Sequence, residues 1–254
     1  MTSAGSAKLR LDQALVARRL CPSREKAVRL VLAGQVRVNG RPARKPSESV
    51  TESDRLEIPA PEKYVSRGGY KLEHALDFFR LPVQGWVAVD LGASTGGFTD
   101  CLLQRGAARV AAVDVGRGQL AWKLRQDPRV VVREKTNARH LAPADLGADF
   151  PPADLVVIDC SFISLRLILP AAWRLLRHRG HAVALVKPQF EAGKAEADKG
   201  GGVIRSPAVR QRVLDELRKF LDDEARWQWK GVTESPLAGP AGNREFLVWL
   251  EKND

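Results

Sequence analysis

The sequence predicts an α/β fold, a doubly wound and largely parallel sheet, preceded by a small basic α+β unit. Three observations carry this. Val-rich apolar runs at 87–89, 110–113, 130–132, 155–158 and 181–186 alternate with helix-length segments, the pattern of a sheet covered on both faces. A glycine-rich bend, Gly92 to Gly97, follows the first run and leads into a helix, the position of a ligand loop at the carboxyl end of a strand. Residues 1–65 carry 13 basic and 7 acidic side chains within a pattern of short helices and strands, a unit of different character from the rest.

A chain of 254 residues can hold one large domain and one small one, and 44% apolar with 28% charged residues argues against disorder. The net charge of +11 is spread over both parts and calls for a polyanionic partner, nucleic acid before an anionic membrane. No apolar stretch approaches the length of a membrane span, and Met1 to Ala7 leads into Lys8 and Arg10 without the apolar core of a signal peptide, so a cytoplasmic protein is expected. Cys21, Cys101 and Cys160 are too few and scattered for a disulfide framework or thiolate metal site. His74, His140, His178 and His181 likewise lack metal-site spacing, so no metal is expected.

The front unit is predicted over residues 1–61. Leu11, Leu15 and Val16 form the inner stripe of a first helix. Ser23 caps a second from Arg24 to Ala33, with Ala27, Val28, Leu30 and Val31 as its apolar contacts and Gly34 as its stop. Val36 to Gly40 reads as a strand entering a turn, and Asp54 to Ile58 as another strand. Around these lie Arg18, Arg19, Arg24, Lys26, Arg29, Arg37, Arg41, Arg44 and Lys45, either ordinary solvated charge or a footprint for RNA phosphates. Through Arg10-Leu11-Asp12, Ser23 to Ala27 and Gly34 to Gly40, the unit resembles the alpha-L RNA-binding motif first known from a ribosomal small-subunit protein. Proline and acid from Pro59 to Glu62 mark a boundary. Residues 62–65 are the expected connection, short enough to limit how far the front unit can wander.

Residues 66–254 carry the doubly wound order. A helix from Tyr70 to Phe79 precedes the strand at 87–89, a helix from Phe98 to Gln104, and strands ending at Asp114 and Asp159. Helices at Leu165 to Leu176 and Ala208 to Phe220 follow, with closing strands at Trp227 to Trp229 and Glu245 to Leu250. The bend in Val89 to Thr99 lacks both the GxGxxG and the P-loop lysine patterns, so it predicts a nucleotide pocket of another kind, or a plain turn. Its glycines at 92, 96 and 97 allow close backbone approach to a ligand. Asp114 either accepts hydrogen bonds from a ribose diol or caps the next helix. Asp90 either orients the loop or contacts the ligand, and Asn137 either reads an adenine edge or serves a turn.

The chain resembles the TlyA-type RNA methyltransferases, also called the hemolysin A family, over nearly its whole length. The segments that carry the match are Val65 to Leu72, Gly92 to Thr99, Asp114-Val115-Gly116 with Gly118-Gln119-Leu120, Asp159 to Leu165, and Leu185 to Glu191. The resemblance implies a class I (Rossmann-like) methyltransferase domain ending in a strand hairpin, with S-adenosylmethionine as donor and no metal. It implies ribosomal RNA as partner, within a subunit, and ribose 2′-O-methylation at cytidine. Donor contacts then fall to Asp90, Gly92, Ala93, Ser94, Thr95, Gly96, Gly97, Phe98, Asp114 and Asn137. RNA contacts fall to Arg10, Arg18, Arg19, Arg24, Lys26, Arg37, Arg41 and, in the larger domain, Arg67.

The family's Lys-Asp-Lys-Glu arrangement maps onto Lys71, Asp159, Lys187 and Glu245. A ribose hydroxyl is a poor nucleophile until its proton leaves, and a lysine takes a proton only when neutral. Lys71 favours that state of Lys187 by like charge, whereas Asp159 and Glu245 oppose it, so Lys187 either deprotonates or steers the hydroxyl. The glycine-containing segment 193–202 either covers the donor, positions RNA or has no role, and Gly239 to Arg244 shapes the entrance near Glu245. Competing readings are an RNA-binding or ribosome-assembly protein without catalysis, and a membrane-active hemolysin. A nicotinamide dehydrogenase lacks its motif here.

Overall fold

The computed structural model describes residues 8–59, 62–224, 226–239 and 241–253, with the backbone alone for Lys194. The expectation for Met1 to Ala7, and those parts of the predicted boundary and entrance loop that fall on residues 60, 61 and 240, lie outside the described residues. The chain divides into two units, 1–62 and 63–254.

The larger unit is built on one seven-stranded sheet. Its strands are β1 (Val87–Leu91), β2 (Arg109–Val113), β3 (Val130–Arg133), β4 (Ala153–Ile158), β5 (Leu176–Val186), β6 (Trp227–Glu234) and β7 (Phe246–Lys252). Their order is β6-β7-β5-β4-β1-β2-β3, parallel throughout except for β7, which runs antiparallel to both its neighbours and closes the terminal hairpin. The helices are α1 (Gly68–Phe79), α2 (Gly97–Gln104), α3 (Trp122–Arg125), α4 (Leu165–Leu175), α5 (Pro188–Glu191), α6 (Lys194–Lys199) and α7 (Pro207–Glu224).

The period-2 alternation of the strands divides the apolar side chains between two cores. Val89, Leu91, Val156, Ile158, Ala184 and Val186 pack with Ile168, Leu169 and Leu217 of α4 and α7. Ala88, Leu155, Val157, Val183 and Leu185 face Leu72, Leu76, Leu102 and Leu103 of α1 and α2. This is why the strands read as continuous apolar runs: neither face is left to water.

Several element ends shift from the sequence reading, the short helices α3 and α5 are absent from it, and two further differences concern β5 and α6. Strand β5 starts at Leu176, directly after α4, where a break at Arg177 to Gly180 is expected from its exposed charges. Leu176 pairs with Ala153 and regular pairing resumes at His181 with Leu155, so the polar residues ride on an irregularity of the strand. Segment 194–199, read as a polar glycine-containing stretch, forms the short helix α6.

The smaller unit packs helices Leu11–Ala17 and Arg24–Leu32 on short strand pairs around Leu11, Leu15, Ala27, Val31, Val36, Val50 and Leu56. Ser23 caps the second helix by accepting from Lys26 N at 3.2 Å. Asn39 and Gly40, at φ of +52° and +77°, make the tight turn of a hairpin. Asn39 Oδ1 also accepts from Arg55 N, tying that turn to the third strand.

Candidate active site

The chemistry-bearing residues stand where strands end. Lys71 lies in the first turn of α1, Asp159 directly after β4, Lys187 directly after β5, and Glu245 directly before β7. Lys71 Nζ donates to Glu245 Oε2 at 2.5 Å, and Lys187 Nζ to Asp159 Oδ1 at 2.6 Å and Ser161 Oγ at 2.8 Å. Glu245 is 1% exposed and both lysines are buried. Burying such charges is tolerable because each has its counter-charge at hydrogen-bond distance, and removing one partner leaves the other stranded.

All four line one cavity of about 300 Å³, together with Arg67, Gly92, Ala93, Ser94, Thr95, Gly97 and Phe98. A second cavity of about 500 Å³ shares Gly92, Ser94, Asp159 and Ser161 with it. Asp114, Val115, Asn137, Cys160, Phe162, Ile163 and Ile168 also line this second space. The shared residues make the two a continuous cleft across the carboxyl ends of β1, β2 and β4, where ligands of such sheets bind.

The glycines of the bend serve a tight turn and close packing against the protein's own atoms. Gly92 has φ +87°, and a Cβ there would lie 2.8 Å from the carbonyl oxygen of Asp159. At Gly96, φ +100°, a Cβ would run into Leu124 and Leu120, and at Gly97 into Ser66 Oγ and Gly69 N. The protein's own atoms occupy the space that these side chains would take. Gly96 is buried and outside both cavities, whereas Gly92 and Gly97 line the cleft.

Asp90 is also absent from the lining of both cavities. It alternates onto the α2 face of the sheet, wholly buried, where Oδ2 accepts from Thr99 N at 2.9 Å and Thr99 Oγ1 at 2.7 Å. A carboxylate at the first turn of α2 suits that helix end, yet burial, opposed by these bonds, pushes its carboxyl up to about 7, and Oδ1 has no hydrogen-bond partner among the described residues. Of the two sequence readings, the geometry is that of loop orientation.

Asp114 Oδ2 accepts from Ser94 N at 2.8 Å and Oδ1 from Gly116 N at 2.7 Å, which holds Ser94 at φ +49°. A carboxylate has about four lone-pair sites, so two bonds leave acceptor capacity facing the second cavity. Asn137 Oδ1 accepts from Arg139 N and caps the short helix Ala138–His140, the turn role, and the residue also lines the second cavity. An acid able to receive a diol beside the apolar walls of Val115, Ile163 and Ile168 fits the nucleoside part of S-adenosylmethionine. The glycine loop and the charged cavity fit its amino-acid end.

Sequence reasoning missed Ser161, which sits inside the quoted segment 159–165. A hydroxyl two residues beyond a strand-end aspartate was the available signal. It also missed Thr99 as the partner of Asp90, and Glu191. The Glu191 carboxylate accepts from Ser164 Oγ and Leu165 N, both at 2.7 Å, and so caps α4 from the segment after Lys187.

The front-unit cations fall into two groups. Arg10 and Arg24 both donate to the buried carboxylate of Asp12, whose pKa the Arg10 bond above all holds down to about 2. Arg18 donates to the carbonyls of Asp54 at 2.5 Å and Thr51 at 2.6 Å, a fastening within the fold. Arg19, Lys26, Arg37 and Arg41 are exposed, as are Arg10 and Arg24 despite their bonds to Asp12.

Comparison with known proteins agrees with this geometry. Residues 64–252 match the FtsJ-like methyltransferase family and residues 9–56 the S4 domain. The 16S/23S rRNA (cytidine-2′-O)-methyltransferase TlyA of Mycobacterium tuberculosis is 48% identical over 96% of this chain and 90% of its own length. Hemolysin A of Brachyspira hyodysenteriae is 40% identical over 94% of this chain and 98% of its own. A solved structure named "Putative hemolysin from Streptococcus thermophilus" is 45% identical, covering 98% of this chain and 90% of that one with a TM-score of 0.74. The chain belongs to the FtsJ-like methyltransferase family as a TlyA-type member, in which an S4 domain precedes the methyltransferase domain.

Proposed function

We propose that this protein transfers a methyl group from S-adenosylmethionine to the ribose 2′-hydroxyl of a cytidine in ribosomal RNA, within a ribosomal subunit and in the cytoplasm. The observation that carries the reading is the pair of buried Lys–carboxylate contacts, Lys71–Glu245 and Lys187–Asp159, lining one cavity with the glycine-rich loop. The TlyA relative's named activity supports the substrate class.

When bound, S-adenosylmethionine supplies a methyl on a cationic sulfonium, an electrophile already activated. Lys187 would receive or steer the 2′-hydroxyl proton as the ribose oxygen bonds to the methyl carbon and the carbon–sulfur bond breaks, its electron pair staying on the sulfur of the departing thioether. Asp159 orients Lys187, and the Lys71–Glu245 pair keeps a fixed electrostatic frame around the reacting oxygen, with no reorganisation at the moment of reaction. Asp114 and Asn137 hold the nucleoside end of the donor. The S4 domain, through Arg10, Arg19, Arg24, Lys26, Arg37 and Arg41, grips RNA phosphates, with Arg67 beside the cavity and residues 62–65 as the joint.

The test uses the full chain with methyl-labelled donor, small and large ribosomal subunits, and their naked RNAs. Label is expected at a cytidine ribose, located by resistance of the 3′ linkage to alkaline cleavage. Lys187→Ala should slow transfer by about 10²- to 10⁴-fold, the range of a general acid–base contribution, with donor affinity by calorimetry retained. Label on a base, or donor binding without any transfer, would refute the reading.

A further inference from the structure

We infer that Ser161 is a positioning residue for the methyl transfer, holding Lys187 so that its nitrogen lone pair is aimed at the ribose hydroxyl. The inference rests on the proposed function and deepens it. A neutral lysine amine has two N–H bonds and one lone pair, arranged tetrahedrally. The structure provides two acceptors for Lys187 Nζ, Asp159 Oδ1 at 2.6 Å and Ser161 Oγ at 2.8 Å. With one N–H committed to each, the lone pair has one direction left, away from both. With Cε and one N–H to Asp159 fixed, the second N–H and the lone pair could still exchange the two remaining tetrahedral positions, so the lone pair would point at the hydroxyl only part of the time.

The position of Ser161 suits this role. It is one of the residues shared by the two cavities, standing where the space suited to the donor's nucleoside meets the charged cavity. Its loop is stapled to the segment that follows Lys187 by further contacts. Glu191 accepts from Ser164 Oγ and Leu165 N at 2.7 Å each, and the Phe162 and Phe190 rings lie 5.1 Å apart between centroids. The serine and the lysine are therefore held in register by elements other than their own bond, which is the meaning of a preorganised site.

The experiment compares wild type, Ser161→Ala and Ser161→Thr as full-length protein, with methyl-labelled S-adenosylmethionine and the ribosomal subunits and RNAs named above. Ser161→Ala is expected to lower kcat by about 2- to 10-fold, the worth of one hydrogen bond between neutral groups. KM for RNA and donor affinity by calorimetry should stay within about twofold, since the ground-state contacts are kept. Ser161→Thr, which retains the hydroxyl, should recover most of the rate. A merely structural serine would instead lower thermal stability and raise KM, with no recovery specific to a hydroxyl. Equal kcat for Ser161→Ala and a methylating wild type overturns the inference alone. A donor-binding wild type that methylates no ribose overturns the proposed function, and the inference with it.

Discussion

Asp90 is an acid in the middle of a buried strand, and its consequences are thermodynamic. Burial pushes its carboxyl up to about 7, against the bonds from Thr99 that favour the charged form. The folded protein therefore holds a proton here that the unfolded chain, with a carboxyl near the ordinary value of about 4, gives up. That contribution to stability is complete below the unfolded pKa and is lost as pH rises through about 7. Asp90→Asn has no such proton to lose. Between pH 5 and pH 8 the melting temperature of wild type should fall relative to that of the variant, and parallel melting profiles would exclude this account. The acid itself was legible in the sequence; its partner Thr99 was not singled out, because their bond depends on how α2 lies over β1.

At the scale of elements, the bend between β1 and α2 shows how loop and sheet constrain one another. Gly92 meets the backbone after β4, so the loop and Asp159 are set by the same close approach. Gly92→Ala should destabilise the fold by about 1–3 kcal/mol from its left-handed backbone alone, and more from the clash at 2.8 Å. Donor affinity should fall with it. Urea unfolding and calorimetry would measure both, and a variant equal to wild type in both would dismiss the close approach as unimportant. The need for glycine was readable from the run itself, yet what fills the missing side chains was not. Those atoms belong to Asp159, Leu120, Leu124, Ser66 and Gly69, contributed by other segments. Strand positions were legible for the opposite reason, since apolar runs covered on both faces declare themselves locally. The start of β5 was not, because the polar residues 177–179 are carried on an irregularity that only pairing with β4 reveals.

At the scale of the whole molecule, charge and division into units set the expected behaviour toward RNA. Arg37 and Arg41 are exposed on the hairpin of the front unit, whereas Arg10, Arg18 and Arg24 are engaged by Asp12 or by backbone carbonyls. Replacing Arg37 and Arg41 together by alanine should weaken RNA binding and flatten its salt dependence by about one unit of log–log slope per lost phosphate contact. Donor affinity, a property of the larger unit, should not change. Filter binding across a salt series would decide it, and an unaltered slope would remove these two arginines from the RNA contacts.

The sequence by itself determined the order of the seven main strands and the longer helices, the bend after the first strand, the capped helix and tight turn of the front unit, and the residue types for the chemistry. Each follows from interactions a few residues long: side-chain period, backbone φ, and caps within one turn. Tertiary structure alone decided which charges meet. Lys71 and Glu245 are separated by 174 positions, and Lys187 and Ser161 by 26. Their contacts exist because parallel strands all deliver their carboxyl ends to one edge, while the antiparallel β7 brings its starting residue there. No local rule specifies which partner each charge then finds.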